Sequence, residues 1–243
     1  MSLILVLFIL LPTNNPIFHV SFIDVGQGDS TLIHYGIKRS CVLIDTGSPF
    51  NYYKLKSKLI SEGIYTIDYL IISHNDSDHN GNVEALQNDF YVKNIILERQ
   101  DIELKDIYYK YLYLGEYDND NDNSLVYLVN IDGYDFLFTG DISKKIERKL
   151  VNDYGPLNID FLKVSHHGSY TGSSEYFISS ILPRFSTIST NGQYNHPSKD
   201  TLNTLNKYES NIFITKHSGS INVYFTKLLD WIKTDKNEYI IFG

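Results

Sequence analysis

The stretch from Ile67 to His79 constrains the fold more than any other part of the chain. Ile67-Asp68-Tyr69-Leu70-Ile71-Ile72-Ser73 has the length and apolarity of a buried strand. It runs directly into His74-Asn75-Asp76-Ser77-Asp78-His79, which gathers two imidazoles and two carboxylates within six residues. Side chains of this kind placed together repel or compete for protons unless something holds them. A divalent cation does so, taking nitrogen and oxygen ligands at about 2.0–2.2 Å. Two further apolar strands end in the same way. Phe138-Thr139-Gly140-Asp141 delivers an acid, and Phe161-Leu162-Lys163-Val164-Ser165-His166-His167-Gly168-Ser169 delivers paired histidines. Each alone is a weak signal, but three buried strands carrying ligand-type residues at their carboxyl ends point to one metal site.

The rest of the chain alternates strands with helices. Strand patterns cover 18–23, 30–35, 40–44, 124–129, 136–139, 159–164, 185–189, 211–215 and 220–225. Helical patterns cover 52–62, 143–152 and 198–208. Several strands and then a helix, twice over, predict two sheets with helices outside. No Gly/Pro-rich linker divides the halves, so residues 17–243 are read as one domain. Residues 1–16 stand apart, because 3–11 read LILVLFILL before a Pro/Asn turn. Nine helical residues rise only about 14 Å, too short for a bilayer core, and a basic n-region and small-residue cleavage site are missing. Three readings stay open: a signal-like core, the stump of a membrane segment, or a buried strand.

Composition excludes several classes. The single cysteine, Cys41, rules out an internal disulfide and a thiolate-rich zinc site, and its apolar run makes it a buried thiol. With 21 Lys+Arg against 29 Asp+Glu the chain carries a formal charge of -8, which argues against a passive, charge-driven nucleic-acid binder. The Asp/Asn run at 118–123 lacks the glycine and glutamate of a calcium loop and reads as a polar loop.

In order and spacing, HxDxDH, then GD, then HHGS resembles the metallo-β-lactamase fold. More narrowly the chain resembles the carboxy-terminal domain of ComEC-type DNA-internalisation proteins. That match rests on Asp24-Val25-Gly26-Gln27-Gly28-Asp29, Leu43-Ile44-Asp45-Thr46-Gly47, Asn123-Ser124-Leu125-Val126 and Tyr194-Asn195-His196-Pro197-Ser198. The resemblance runs from about 18 to 225 and implies an α/β fold, a four-layer αβ/βα sandwich with one or two divalent ions, zinc or manganese, between the sheets. It implies that His74 and Asp76 serve one ion, that Asp78, His79 and a histidine of the HHGS segment serve the other, and that Asp141 bridges them. His166 is favoured as that ligand and His167 as substrate contact, with the order of the two left open. Asp78, His167 and His196 are the expected catalytic residues.

Departures from the wider pattern matter. Asp76 stands where the wider fold usually has histidine, and residues 80–140 contain no histidine. More oxygen and less nitrogen makes manganese a rival to zinc. Asn82 replaces the second glycine usual after DHxG. The expected activity is a phosphodiesterase or nuclease acting on single-stranded or duplex DNA in competence-type uptake, beside a membrane channel portion, at or outside the cell membrane; a cytoplasmic setting stays open. Two alternatives remain: a small-molecule hydrolase such as a choline-phosphate esterase or lactonase, and a non-catalytic domain binding DNA or a partner. Lys144, Lys145, Arg148 and Lys149 are read as phosphate contacts or, more simply, a solvated helix face. His19, His34 and His217 are read as structural, Asp24 and Asp29 as turn-shaping, and Asp45 as orienting a metal ligand.

Overall fold

Successive side chains of a strand point to opposite faces, and that alternation sorts this chain's apolar residues into three layers of packing. The computed structural model describes residues 18–36, 40–105 and 107–243; the segment 1–16 lies outside these. The elements run β1 (Phe18–Phe22), β2 (Thr31–Tyr35), β3 (Ser40–Ile44), α1 (Tyr52–Ser61), β4 (Thr66–Ile71), α2 (Ser77–Asn80), α3 (Val83–Asp89), β5 (Tyr91–Ile96), β6 (Ile102–Leu104), β7 (Ile107–Tyr111), β8 (Tyr127–Ile131) and β9 (Tyr134–Phe138). They continue with α4 (Lys144–Tyr154), β10 (Phe161–Lys163), α5 (Glu175–Ile181), β11 (Phe185–Ile188), α6 (Lys199–Lys207), β12 (Asn211–Ile214), α7 (Thr215–Ser218), β13 (Ile221–Phe225), β14 (Trp231–Thr234) and β15 (Tyr239–Ile241). Among the described residues these strands form two sheets, ordered β15-β14-β13-β1-β2-β3-β4-β5 and β12-β11-β10-β9-β8-β7-β6.

Val20, Phe22, Ile33, Val42, Ile44 and Ile71 of the first sheet face Tyr109, Tyr127, Phe136, Phe138 and Phe161 of the second. The alternate residues Leu32, Leu43 and Leu70 face outward onto Leu55 and Leu59 of α1 and Leu86 of α3. Leu137 and Leu162 likewise face Ile146 and Leu150 of α4, Phe177 of α5 and Leu205 of α6. The result is the four-layer sandwich, helices on sheet on sheet on helices, that the patterning implies. Helix starts at α5 and α6 are fixed by Ser174 and Ser198, whose hydroxyls accept from the backbone N–H of Phe177 and Thr201.

Register places the site. In the parallel part of the first sheet Ile44 pairs with Ile71. In the second, Phe136 pairs with Phe161 and Phe161 with Phe185, their rings stacked at 4.4 and 4.9 Å. The carboxyl ends of β3, β4, β9, β10 and β11 therefore open at one rim of the sandwich. Strands β5, β6, β7, β14 and β15 and helix α5 are additions to the sequence reading. The strand expected at 124–129 begins at Tyr127, because Ser124 is drawn into the rim. No described helix is long and apolar enough to cross a membrane.

Far from that rim, His19 is 3% exposed and stacked on Tyr224 at 4.4 Å. Burial pushes its pKa down to about 4, against the opposing pull of Glu62. A folded pKa below the unfolded value means that the neutral ring's contribution is complete above about pH 6.5 and is lost as pH falls through about 4. The loss amounts to about 3 kcal/mol. Urea unfolding across that window will show the falling midpoint, and His19→Asn will flatten it.

Candidate metal centre

Each ligand-type side chain reaches the rim through a backbone feature its sequence explains. Asp45 follows β3 with a left-handed φ of 61°, and its amide donates to Ile71 O at 2.8 Å. Its carboxylate accepts from Ser73 N at 2.7 Å and Ser73 Oγ at 2.8 Å, and lies 2.8 Å from His79 Nδ1. That partner leaves Nε2 of His79 to face the cluster, the arrangement by which a carboxylate orients a metal-binding imidazole. Thr46 holds the same turn, with N and Oγ1 both donating to His79 O. Asn82 is buried, its amide nitrogen within 2.7–3.0 Å of the carbonyls of Thr46, Gly47 and Ser48. The departure from glycine there is thus a clamp on the loop that carries Asp45.

Glycine 28 answers to close approach. Its φ is +129°, and a β-carbon would fall 2.5 Å from the carbonyl oxygen of Asp78. The contact lets Asp29 N donate to Asp78 O at 3.1 Å, bringing Asp29 under the cluster. In the second sheet Phe138 pairs with Lys163, so Asp141 and the two histidines leave adjacent strands at one level. Ser124 Oγ accepts from Asp141 N at 3.0 Å. His166 and His167 both take left-handed φ values, 49° and 54°, uncommon for non-glycine residues and found where surroundings enforce them.

Four groups of ligand atoms converge there, within 4.8 Å in each: His74, His79 and Asp141; Asp78, His79 and His167; Asp29, Asp141 and His167; and Asp29, Asp45 and His79. His79 Nε2 lies 3.3 Å from Asp141 Oδ1. His167 Nε2 lies 3.1 Å from Asp78 Oδ2 and 3.5 Å from Asp141 Oδ2, while its Nδ1 lies 3.0 Å from Ser189 O and 3.4 Å from Asp29 Oδ1. Buried Nε2 of His74, Nε2 of His79 and Oδ1 of Asp141 find no hydrogen-bond partner among the described residues. Unsatisfied atoms of this kind are costly, and here they are of the types that divalent ions take. The donor set fits one or two such ions, with oxygen well represented.

Electrostatics agree. Burial alone would lower the pKa of His79 and of His167, but Asp141 and Asp45 hold the first well above its usual value, and Asp141 and Asp29 raise the second to about 10. Burial opposes ionisation of Asp141 and Asp29, yet His167 and His79 pull the first far down, and Lys163 and His167 do the same for the second. Protons on two imidazoles thus balance the carboxylates, and a metal ion would displace them. His74 shifts the other way, lowered by burial and by His79, leaving it neutral.

Of the residues expected from sequence, His74, Asp78, His79 and Asp141 come together. Asp76 is on the periphery, its side chain 48% exposed and its Oδ2 3.5 Å from His74 Nε2. His167 belongs to the converging groups, whereas His166 lies outside them, 29% exposed, with Nε2 3.8 Å from Asp141 Oδ2. His196 stands beside the pair, its ring 6.2 Å from that of His167. Sequence reasoning missed Lys163 and undervalued Asp29, which form a buried ion pair at 2.5 Å between the sheets. The signal was present: Phe161 points inward and Leu162 outward, so Lys163 is a charge at an inward position of a buried strand. Lys145 and Arg148 lie over Tyr117 and Tyr176, and Lys149 pairs with Asp153, which agrees with a solvated helix face.

The profile of the Metallo-beta-lactamase superfamily matches residues 23–117, the stretch that supplies Asp29, Asp45 and His74 through His79. The chain is 29% identical over 83% of its length to ComE operon protein 3 of Bacillus subtilis (strain 168), and 30% identical over 82% to Competence protein ComA of Neisseria gonorrhoeae. This chain carries a metallo-beta-lactamase domain. It spans 32% and 31% of those two relatives, about a third of their length. Among solved structures, the metallo-beta-lactamase fold protein YhfI from Bacillus subtilis superposes with a TM-score of 0.55 at 12% identity, covering 83% of this chain and 98% of that one. Divalent metal binding goes with the metallo-beta-lactamase fold, and the candidate groups lie where that fold's sheets meet.

Zinc or manganese at about a hundred times its Kd should therefore raise the unfolding free energy by about 2.7 kcal/mol. Thermal melts of chelator-treated protein will show the rise, and His79→Ala and Asp141→Asn will abolish it. Asp45→Asn will weaken metal affinity about 10–100-fold, measured by titration calorimetry, while His166→Ala will keep most of it.

Proposed function

We propose that the domain, residues 17–243, is a metal-dependent phosphodiesterase that cleaves DNA strands in the course of DNA uptake, working beside a membrane channel portion. The observation that carries this reading is the place of Asp141: it belongs to both the His74/His79 group and the Asp29/His167 group, with Oδ1 3.3 Å from His79 Nε2 and Oδ2 3.5 Å from His167 Nε2, so its two oxygens could serve two divalent ions side by side. The printed names of the relatives, a competence protein among them, support DNA as the substrate class. In this reading His74 and Asp141, with Asp76 at the edge, hold one ion, and Asp78, His79 and His167 hold the other. His167 thus takes the ligand role and the more exposed His166 the substrate contact, the reverse of the order first favoured. Two ions so held supply a water of near-neutral pKa and neutralise charge gathering on a phosphoryl oxygen.

The protein's own groups do the rest. Asp78, partly exposed and held ionised against its burial by the His167 hydrogen bond and His79, stands at the mouth of the site to orient the attacking water. His196 is positioned by Gln27: the Gln27 Oε1 accepts from Thr190 Oγ1 at 3.0 Å, so its Nε2 faces His196 Nδ1 at 3.4 Å. With the amide donating to Nδ1, the ring proton of His196 is on Nε2, available to the leaving oxygen. Burial and the neighbouring His167 lower the His196 pKa, which favours the neutral ring that offers its Nε2–H as a hydrogen-bond donor.

Hydrolysis of single-stranded DNA, duplex DNA and phosphocholine esters, each with manganese or zinc, tests the reading. Wild type should cleave DNA, and Asp78→Ala should lose at least about a hundredfold in rate. Equal activity in that variant sinks the proposed site, and activity on phosphocholine esters alone overturns the choice of substrate.

A further inference from the structure

Two clefts flank the metal centre, and they differ in what they leave unsatisfied. The cleft beside His74, about 510 Å³, contains Arg99, but that guanidinium is already engaged by Glu116 at 2.7 Å and Asn123 at 3.2 Å. The other cleft, about 630 Å³, starts at His196 and is lined by Tyr170, Tyr194, Lys199 and Lys216. Tyr170 is 69% exposed and Tyr194 77%. Two other exposed tyrosines, Tyr108 and Tyr176, have hydroxyl partners in Asp101 and Asn152. Neither cleft tyrosine has such a hydroxyl partner among the described residues.

The lysines show the same contrast. In a chain whose acids outnumber its bases, several surface lysines find carboxylates: Lys56 with Asp89, Lys149 with Asp153, Lys207 with Glu175. Lys199 and Lys216 are exposed and have no such ion pair among the described residues. The loop also holds Tyr194 in place: it and Asn195 have left-handed φ values of 55° and 59°. A run of rings joins this cleft to the metal centre, His167 to His196 at 6.2 Å and His196 to Tyr194 at 6.1 Å.

Open aromatic faces suit flat apolar partners, and uncompensated ammonium groups suit phosphates. A single nucleic-acid strand presents both, whereas a duplex stacks its base faces on one another. We propose that this cleft is a single-strand binding track, with bases stacked on Tyr194 and Tyr170 and phosphates met by Lys199 and Lys216. The assignment rests on the phosphodiesterase reading for its direction, with the strand leading past His196 to the metals.

Binding of the full, metal-loaded chain to a short fluorescent oligothymidylate with hydrolysis-resistant phosphorothioate linkages tests it. Tyr194→Ala and Tyr170→Ala should each weaken binding about tenfold, with melting temperatures unchanged, and the phenylalanine variants should bind as wild type does. An abasic strand of equal length should bind wild type and alanine variants alike. Lys216→Gln should flatten the slope of log affinity against log salt by about 0.7. Alanine variants that bind like wild type, an abasic strand that binds as tightly as the oligothymidylate, or a duplex that competes equally would each overturn the track. Binding to anionic phospholipid vesicles that needs the lysines, with no tyrosine-dependent strand binding, would assign the cleft to a membrane surface instead. Because the strand resists cleavage, the two proposals separate. A chain that hydrolyses no phosphodiester yet needs both tyrosines keeps the track and loses the function, and one that cleaves DNA with silent tyrosines does the reverse.

Discussion

Mutual neutralisation of buried charge holds this architecture together at its rim. Asp29, Asp45 and Asp141 are withdrawn from water where the two sheets meet, and His79, His167 and Lys163 are withdrawn with them. Any one of these alone would be intolerable in such surroundings, since removing a partner from a buried pair typically costs about 3–5 kcal/mol. Together they form a cross-sheet lattice: Asp29, from the loop after β1, meets Lys163 on β10, and His79, from α2, meets Asp141 after β9. The apolar layers determine that the sheets pack; the charges determine how their edges align.

How much of this was legible in the sequence follows from where each signal came from. Central strands such as β4 and β10 are buried on both faces, so their apolar runs were plain, and so were the ligand clusters that follow them. Strands β5, β6 and β15 lie at sheet edges, where one side is wet and the pattern breaks up, as in Tyr91-Val92-Lys93-Asn94, three of whose residues are exposed. The family motifs located the histidine pair but not its handedness. Which imidazole turns inward is set by two successive left-handed residues, and nothing in the letters HH encodes that. Lys163 escaped because a lysine is ordinarily a surface residue, and only its place in the alternation marks it as buried.

Net charge is a poor guide to a molecule built this way. The formal value of -8 sums carboxylates that are locked against imidazolium and ammonium groups in the rim with others paired to surface lysines. What an approaching molecule meets is local: a compensated centre with Asp78 and Asp76 at its mouth, and beside it a cleft whose exposed cations have no carboxylate partner among the described residues. The same composition read as a total and read as a map gives opposite expectations for phosphate-bearing molecules.

Asp78 and His167, 3.1 Å apart across the centre, are 89 residues apart in the chain. Of the four groups only Asp29, Asp45 and His79 lie on one sheet; the other three draw on both, so they come into being only when the two sheets dock. Contacts of such long sequence separation form against a large loop-closure entropy and belong to the slow, late part of folding. The three groups that draw on both sheets therefore depend on the halves having met in the right register.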